Sequence, residues 1–331
     1  MIAFPRRECP EGDLFVRAWD VMEASYRTLL EKGVLKERIE KAVAALEECR
    51  LCPRACGVNR LQGEKGFCET GRRAAVAGCN SHFGEEAPLV GTHGSGTIFI
   101  SSCNLLCSFC QNFEISHGRE GAEIEPEQMA GMMIQLAQMG CHNINIVTPS
   151  HVVPQVLEAL PKAIEKGLRI PLVYNSSGYD SVETLRLLDG IFDIYMPDFK
   201  FWDNTFAQRY CGAPDYREVA VQALREMHRQ VGDLVLDDRG VAVHGLIVRH
   251  LVMPNQVAGT GEIAKFVAGE ISSNTYVNIM DQFRPCGGAL RDSLINRRIN
   301  AREFREATGE AKKAGLKRLD PRDRIPILFR P

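Results

Sequence analysis

Apolar residues along this 331-residue chain recur with two periods, and the two alternate. Short β-rich runs come first: TIFISS (97–102), NINIVT (143–148), PLVYNS (171–176), DIYMPD (193–198), LIVRHLVM (246–253) and YVNIMD (276–281). Helical segments with a 3.6-residue stripe lie between them, over 126–140, 152–167, 182–190, 216–232 and 261–271. Pro126 suits a first turn and Gly140 a stop. Pro161 argues against a single unbroken helix over 152–167. A last helix is predicted after Asn300, with Glu303 completing a capping box and Gly315 ending it. Ahead of the alternation, residues 13–48 read as two helices broken near Gly33, with Leu35, Ile39, Val43 and Leu46 on one stripe. Strand–helix alternation predicts a parallel sheet with right-handed crossovers. Six such units make a partial (β/α)6 barrel of the α/β class, carrying an N-terminal helical and cysteine-rich extension. The expected divisions are a helical segment over 1–48, a tetracysteine knuckle and linker over 49–90, the barrel over 91–290, and a helix and tail over 291–331.

Composition is that of an ordinary globular protein, 45% hydrophobic and 25% charged. The formal net charge of −2 gives no support to a general nucleic-acid-binding surface. The start, MIAFPRRECPEGDLF, lacks the apolar run of a signal peptide, and no stretch approaches the roughly 18 apolar residues of a membrane span. A cytoplasmic location without membrane attachment is the expectation. Twelve cysteines then point to metal or redox chemistry rather than to disulfides. Seven fall into two groups. The others, Cys9, Cys79, Cys141, Cys211 and Cys286, read as small buried hydrophobes.

The central group, Cys103, Cys107 and Cys110, directly follows the first predicted barrel strand. Three thiolates hold three irons of a [4Fe–4S] cube and leave the fourth iron open to a ligand. The plain alternative is three buried or zinc-binding thiols. The outer group, Cys49, Cys52, Cys56 and Cys68, has four thiolates. They suit a closed structural zinc site or a second, fully ligated [4Fe–4S] cluster, and spacing does not separate the two. Arg50, Arg54, Arg60 and Lys65 are placed to offset its negative charge.

The run CNLLCSFC, with Phe109 in the aromatic slot, resembles the signature of the radical S-adenosylmethionine (SAM) superfamily. From about Cys49 to Arg284 the chain resembles the iron–sulfur proteins related to pyruvate formate-lyase-activating enzyme. CPRACGVNRLQGEKGFC, GSGTIFISSCNLLCSFCQNFEIS, HNINIVTPSH, YNSSGY, MPDFKFWD and VRHLVMP carry that resemblance. It implies a [4Fe–4S] cluster whose open iron chelates SAM, and reductive cleavage of SAM to a 5′-deoxyadenosyl radical that abstracts hydrogen from a substrate. SAM contacts are then expected at the C-terminal strand ends. Thr148 stands where the superfamily often has Gly-Gly-Glu. Asn175, Ser176 and Ser177 follow at the third strand, and Asp198 and Lys200 at the fourth, resembling the Asp-x-Lys of glycyl-radical activases. Arg249 and His250 alternate faces at the fifth, so one of them points inward. Asn278 and Gln282 bracket the mouth at the sixth, with Arg284 behind. His82, His93, His117, His142 and His151 are candidates for a substrate cleft. The resemblance also implies a reducing partner such as flavodoxin or ferredoxin, and a protein substrate if the chain is an activase. A radical SAM enzyme acting on a small metabolite or RNA is the alternative. An iron–sulfur electron-transfer protein without SAM chemistry is the alternative of another class.

Overall fold

The computed structural model describes residues 24–321. The helix expected to begin at residue 13 therefore lies partly, and Cys9 wholly, outside the described residues. Ten strands occur among those described: β1 (Ala74–His82), β2 (Ser95–Ile100), β3 (Ala122–Ile124), β4 (Ile144–Val147), β5 (Leu172–Ser176), β6 (Ile194–Pro197), β7 (Val235–Leu236), β8 (Ala242–Leu251), β9 (Tyr276–Met280) and β10 (Arg318–Leu319). The helices are α1 (Ser25–Glu31), α2 (Val34–Ala44), α3 (Ala87–Val90), α4 (Phe113–Ser116), α5 (Pro126–Gln138), α6 (Val153–Glu165), α7 (Val182–Leu187), α8 (Asn204–Cys211), α9 (Tyr216–Val231), α10 (Thr260–Phe266) and α11 (Ala301–Lys313).

All six predicted strands form, as β2, β4, β5, β6, β8 and β9, and they pair in parallel in that order. The sheet stays open, which makes it a partial (β/α)6 barrel. Its β2 edge is extended by antiparallel β1 and β3, and its β9 edge by parallel β10. The hairpin strand β1 escapes the periodicity because AAVAGCNSH is small and polar, and its weakly buried face carries no alternation. Contrary to expectation, α6 runs unbroken through Pro161. Burial of Val156, Leu157, Leu160 and Ala163 on one face holds the turn that the missing N–H would otherwise release.

Alternation along the strands separates two cores. Leu172, Tyr174, Tyr195, Leu246, Val248 and Val277 face outward into the main core under the helices. Val173, Ile194, Met196, Ala242, Ile247 and Tyr276 face the barrel interior, where they pack around Leu89. Leu89 comes from α3, a single turn of the N-terminal extension that plugs the lower end of the barrel. The Leu89 carbonyl accepts a hydrogen bond from Nδ2 of Asn143 at 2.9 Å, which ties the plug to β4. The chain leaves the plug at Gly91, whose φ of 45° and 2.6 Å approach to His142 (measured from a built Cβ) exclude a side chain.

This plug is testable. Leu89→Ala removes a fully buried side chain and leaves a cavity, so denaturant unfolding should show a loss of about 2–5 kcal/mol. A loss under about 1 kcal/mol would mean that the barrel floor collapses onto the gap.

Candidate active site

The loop after β2 holds three cysteines in eight residues. Its backbone takes left-handed conformations at Ser102 (φ 70°) and Leu106 (φ 52°), which side-chain-bearing residues rarely adopt. Neighbours enforce the shape. Nε2 of His151 donates to the Ser101 carbonyl at 3.0 Å, and Nδ2 of Asn104 donates to the Tyr179 carbonyl at 2.7 Å. The Ser108 amide donates to the Tyr210 carbonyl at 2.7 Å. Phe109 is buried in an aromatic nest with Phe201, Tyr210 and Phe283 at ring separations of 5.8, 6.3 and 6.1 Å.

Every sulfur of the triad receives a hydrogen bond, and the Leu106 and Asn112 amides add to those on Cys103 and Cys110. The Leu105 amide reaches Cys103 Sγ at 3.3 Å, the Cys211 thiol reaches Cys107 Sγ at 3.4 Å, and Ser116 Oγ reaches Cys110 Sγ at 3.2 Å. Burial pushes the Cys103 thiol up to about 12. A thiolate there needs a compensating cation, which cluster irons supply.

All three cysteines open onto one cavity of about 410 Å3 at the C-terminal strand ends. Its volume falls within the roughly 300–1,000 Å3 of ligand pockets. Phe109, Thr148, Asn175, Ser176, Ser177, Asp198, Lys200, Arg249 and Gln282 share its wall. Asn278 does not. It is buried lower in the barrel, where its Nδ2 donates to Glu86 Oε1 at 2.7 Å. The alternation at β8 places Arg249 inward, while His250 is buried outside between the Phe199 carbonyl and Thr260 Oγ1. Of the five candidate histidines, His82 lines the cavity. His117 stacks on Phe113, His142 receives the Thr92 amide, and His93 packs edge-on against His142. Arg284 is exposed off the wall.

Asp198 organises the polar wall. Its Oδ1 accepts from Arg249 Nε at 2.7 Å and its Oδ2 from the Lys200 ammonium. Burial alone would raise the Asp198 carboxyl, but the guanidinium and the ammonium outweigh it and hold the group below the ordinary carboxylate range. Arg249 continues to Asn175 Oδ1 at 2.7 Å and to Glu85 Oε2 at 3.4 Å. Tyr216 hydroxyl donates to the carbonyls of Ser177 and Asp198, locking the two strand ends together.

The wall fits a polar ligand. Ser177 Oγ and Glu86 Oε2 are buried on it without a hydrogen-bond partner, and below them Asn145 has both amide atoms unpartnered. Such groups require a bound molecule or water. Among the described residues no three histidine, cysteine or carboxylate side chains converge on a single-ion site. The triad instead lines a shared cavity, as the thiolates around a four-iron cube do.

In the outer group Cys49, Cys52 and Cys68 are buried and Cys56 is exposed. Gly66 lies so close to Cys56 that a Cβ there would meet its sulfur at 2.3 Å. Of the four nearby cations, Arg60 alone has its guanidinium placed beside a sulfur, 3.9 Å from Cys49 Sγ. Arg50 pairs with Glu48 in solvent. Arg54 turns away toward the cluster loop. Sequence reading missed Arg54 in this role, and also Cys211 and Cys286. Cys286 donates to the carbonyls of Phe109 and Cys110 at 3.2 and 3.3 Å.

Residues 97–245 match the profile of the Radical SAM superfamily. The chain is 32% identical over 295 residues to the uncharacterized protein MJ0674 of Methanocaldococcus jannaschii, covering 87% of this chain and 81% of that one. Among solved structures, the matches include anSMEcpe with bound AdoMet (TM-score 0.44, 9% identity), HydG, a maturase of the [FeFe]-hydrogenase (0.46, 12%), and Streptococcus suis SuiB bound to its precursor peptide SuiA (0.44, 10%). Each covers 66% of this chain, which spans 61%, 49% and 46% of those chains respectively.

Two buried histidines make the scaffold pH-sensitive. Burial pushes His151 and His250 down to about 4. The unfolded imidazole titrates near 6.5. The folded state disfavours the proton, so this stability is full above about pH 6.5 and is lost as pH falls toward 4, by about 3 kcal/mol per residue. Unfolding free energies measured across that window should decline, and His250→Gln should flatten the slope. An unchanged slope in His250→Gln would show that its imidazole protonates freely in the folded state.

Proposed function

Because this chain belongs to the radical SAM superfamily, we propose that it binds SAM in the cavity beside the triad and abstracts hydrogen from a backbone glycine of a protein substrate. The observation that carries the SAM assignment is three cysteines opening onto a cavity whose remaining wall is Asn175, Ser177, Asp198 and Lys200 rather than a fourth thiol. Held there, a cluster would supply one electron to the sulfonium of SAM, cleaving a C–S bond to give methionine and a 5′-deoxyadenosyl radical. Cys103, Cys107 and Cys110 would hold the cluster, in the same cavity that the polar residues line. Lys200 and Arg249 offer cations to the SAM carboxylate, with Asp198 keeping both charged and aimed. Ser177 Oγ, which has no partner, is free to meet a ribose or carboxylate oxygen, and Asn175, whose Oδ1 accepts from Arg249, offers its amide N–H beside it. The plug leaves the cavity mouth as the route for substrate. Exposed Phe113 and Leu290 near the cluster loop suit a protein partner, whether the glycine-bearing substrate or a reduced flavodoxin or ferredoxin. A small-molecule substrate fits the same cavity and is the second reading.

Anaerobically reconstituted protein should give a reduced-cluster paramagnetic signal that shifts when SAM is added, and Cys103→Ala, Cys107→Ala or Cys110→Ala should abolish SAM cleavage. A spectrum indifferent to saturating SAM sinks the cofactor assignment. Supplied with a lysate from cells grown on α-deuterated glycine, the enzyme should yield deuterated 5′-deoxyadenosine. Unlabelled product would overturn the glycine target and leave the SAM chemistry standing.

Although in this structure the outer four cysteines do not converge on a single-ion site, we propose them, on their spacing, as a second metal centre, zinc or a cluster. Metal analysis of a Cys103/Cys107/Cys110 triple-alanine variant, purified without oxygen, reads it directly. Zinc near one per chain means a structural knuckle, and iron and sulfide near four mean a second cluster. A folded, metal-free variant refutes both.

A further inference from the structure

Arg54 sits between Cys52 and Cys56 in the outer group, but its guanidinium serves the cluster loop. Nε donates to the Asn104 carbonyl at 2.9 Å, and Nη2 to the carbonyls of Cys211 at 2.8 Å and Leu105 at 3.4 Å. Nη1 donates to the Gly212 carbonyl at 2.5 Å. The guanidinium lies between the rings of Phe67, 3.9 Å from its centroid, and Tyr179, at 5.1 Å. Phe67 itself precedes Cys68. One planar cation of the outer segment thus gathers four carbonyls from two remote loops, a task for which a guanidinium fork is suited and an ammonium is not. Two of those carbonyls close the C-terminal end of α8, where a cation also meets the negative end of the helix dipole.

Two of the four residues it grips donate to triad sulfurs. Leu105 supplies the amide bonded to Cys103 Sγ. Cys211 supplies the thiol bonded to Cys107 Sγ at 3.4 Å, across 104 positions of sequence. At that separation two thiolates would repel strongly inside a buried site. In this geometry the Cys211 S–H is the donor and Cys107 Sγ the acceptor. Hydrogen bonds to cluster sulfurs stabilise the more negative, reduced cluster and raise its potential.

We propose that Arg54 is a positioning residue through which the outer cysteine segment sets the Cys211–Cys107 hydrogen bond and so the reduction potential of the SAM cluster. This rests on the reading that the triad binds the cluster, and needs no assumption about the metal at the outer site. Folding of the outer segment, by whatever metal it holds, is then a condition for a reducible cluster.

The full-length protein, reconstituted without oxygen, provides the test by redox titration followed by paramagnetic resonance, with iron counted in each variant. Cys211→Val should retain about four irons at the triad and move the midpoint to a more negative potential, and Cys211→Ser, which keeps a donor, should restore it. Arg54→Gln should shift the midpoint in the same direction and add little in the Cys211→Val background. Arg54→Lys, which keeps the charge but not the fork, should shift it less than Arg54→Gln and provides the measurement if the glutamine variant does not fold. A folded, iron-replete Arg54 variant with the wild-type midpoint overturns the proposal, as does an Arg54 shift that adds in full to that of Cys211→Val. Wild-type protein that takes up no iron at the triad would instead refute the cluster reading beneath it.

Discussion

A loop that must present three sulfurs within eight residues cannot also satisfy its own backbone. Two of its residues are left-handed without being glycine, and most of the bonds that fix it come from outside. His151 holds its start, Arg54 and Tyr179 hold its middle, and near its end the Ser108 amide donates to the Tyr210 carbonyl while the Ser108 carbonyl accepts from the Gly288 amide. Strained backbone of this kind persists only where surroundings over-determine it. The nearby structure can be read as that over-determination. Fully buried Arg60 bridges the Gly71 and His151 carbonyls, so even the histidine that pins the loop is itself pinned by the outer cysteine segment.

The N-terminal extension consequently acts at both ends of the barrel. At the top its cysteine segment grips the cluster loop through Arg54. At the bottom α3 inserts Leu89 among inward-facing strand residues and closes the floor. Between these lies the cavity, and the loop before α3 contributes Glu85 and Glu86 to its wall. A six-strand sheet that does not close leaves its interior open at one end, and here a preceding segment fills it with Leu89.

Much of the barrel was legible in sequence because buried parallel strands are continuous apolar runs and their crossover helices are amphipathic. The cysteine triad was legible because its ligands are close in sequence and chemically distinctive. The strand-end residues at 148, 175–177, 198 and 200 could be nominated because a barrel sends its C-terminal strand ends to one mouth. Asn278 was misplaced by a single layer, since it shares a face with the cavity residues but lies below them, bonded to Glu86. The contributions of Arg54, Cys211 and α3 were not legible. Each acts across a long separation, 50 residues from Arg54 to Asn104 and 104 from Cys107 to Cys211, and leaves no local periodicity. Cys211 looked like a small core hydrophobe because burial and a sulfur partner are indistinguishable without the fold.

Charge on the cavity wall bears on what it admits. Glu85, Glu86 and Asp198 stand against Lys200 and Arg249, three formal negatives against two positives, which leaves −1. Asp198 is held ionised between its two cations, so protonation at neutral pH does not remove that imbalance there. A cluster bound by three thiolates adds further negative charge on the same side. In a partly enclosed site such charges are weakly screened. A sulfonium, which gives SAM one more positive charge than an ordinary amino-acid zwitterion, relieves the imbalance, whereas a phosphodiester chain worsens it. The charge at the site itself thus suits a cationic ligand group, where the chain-wide charge of −2 could say little.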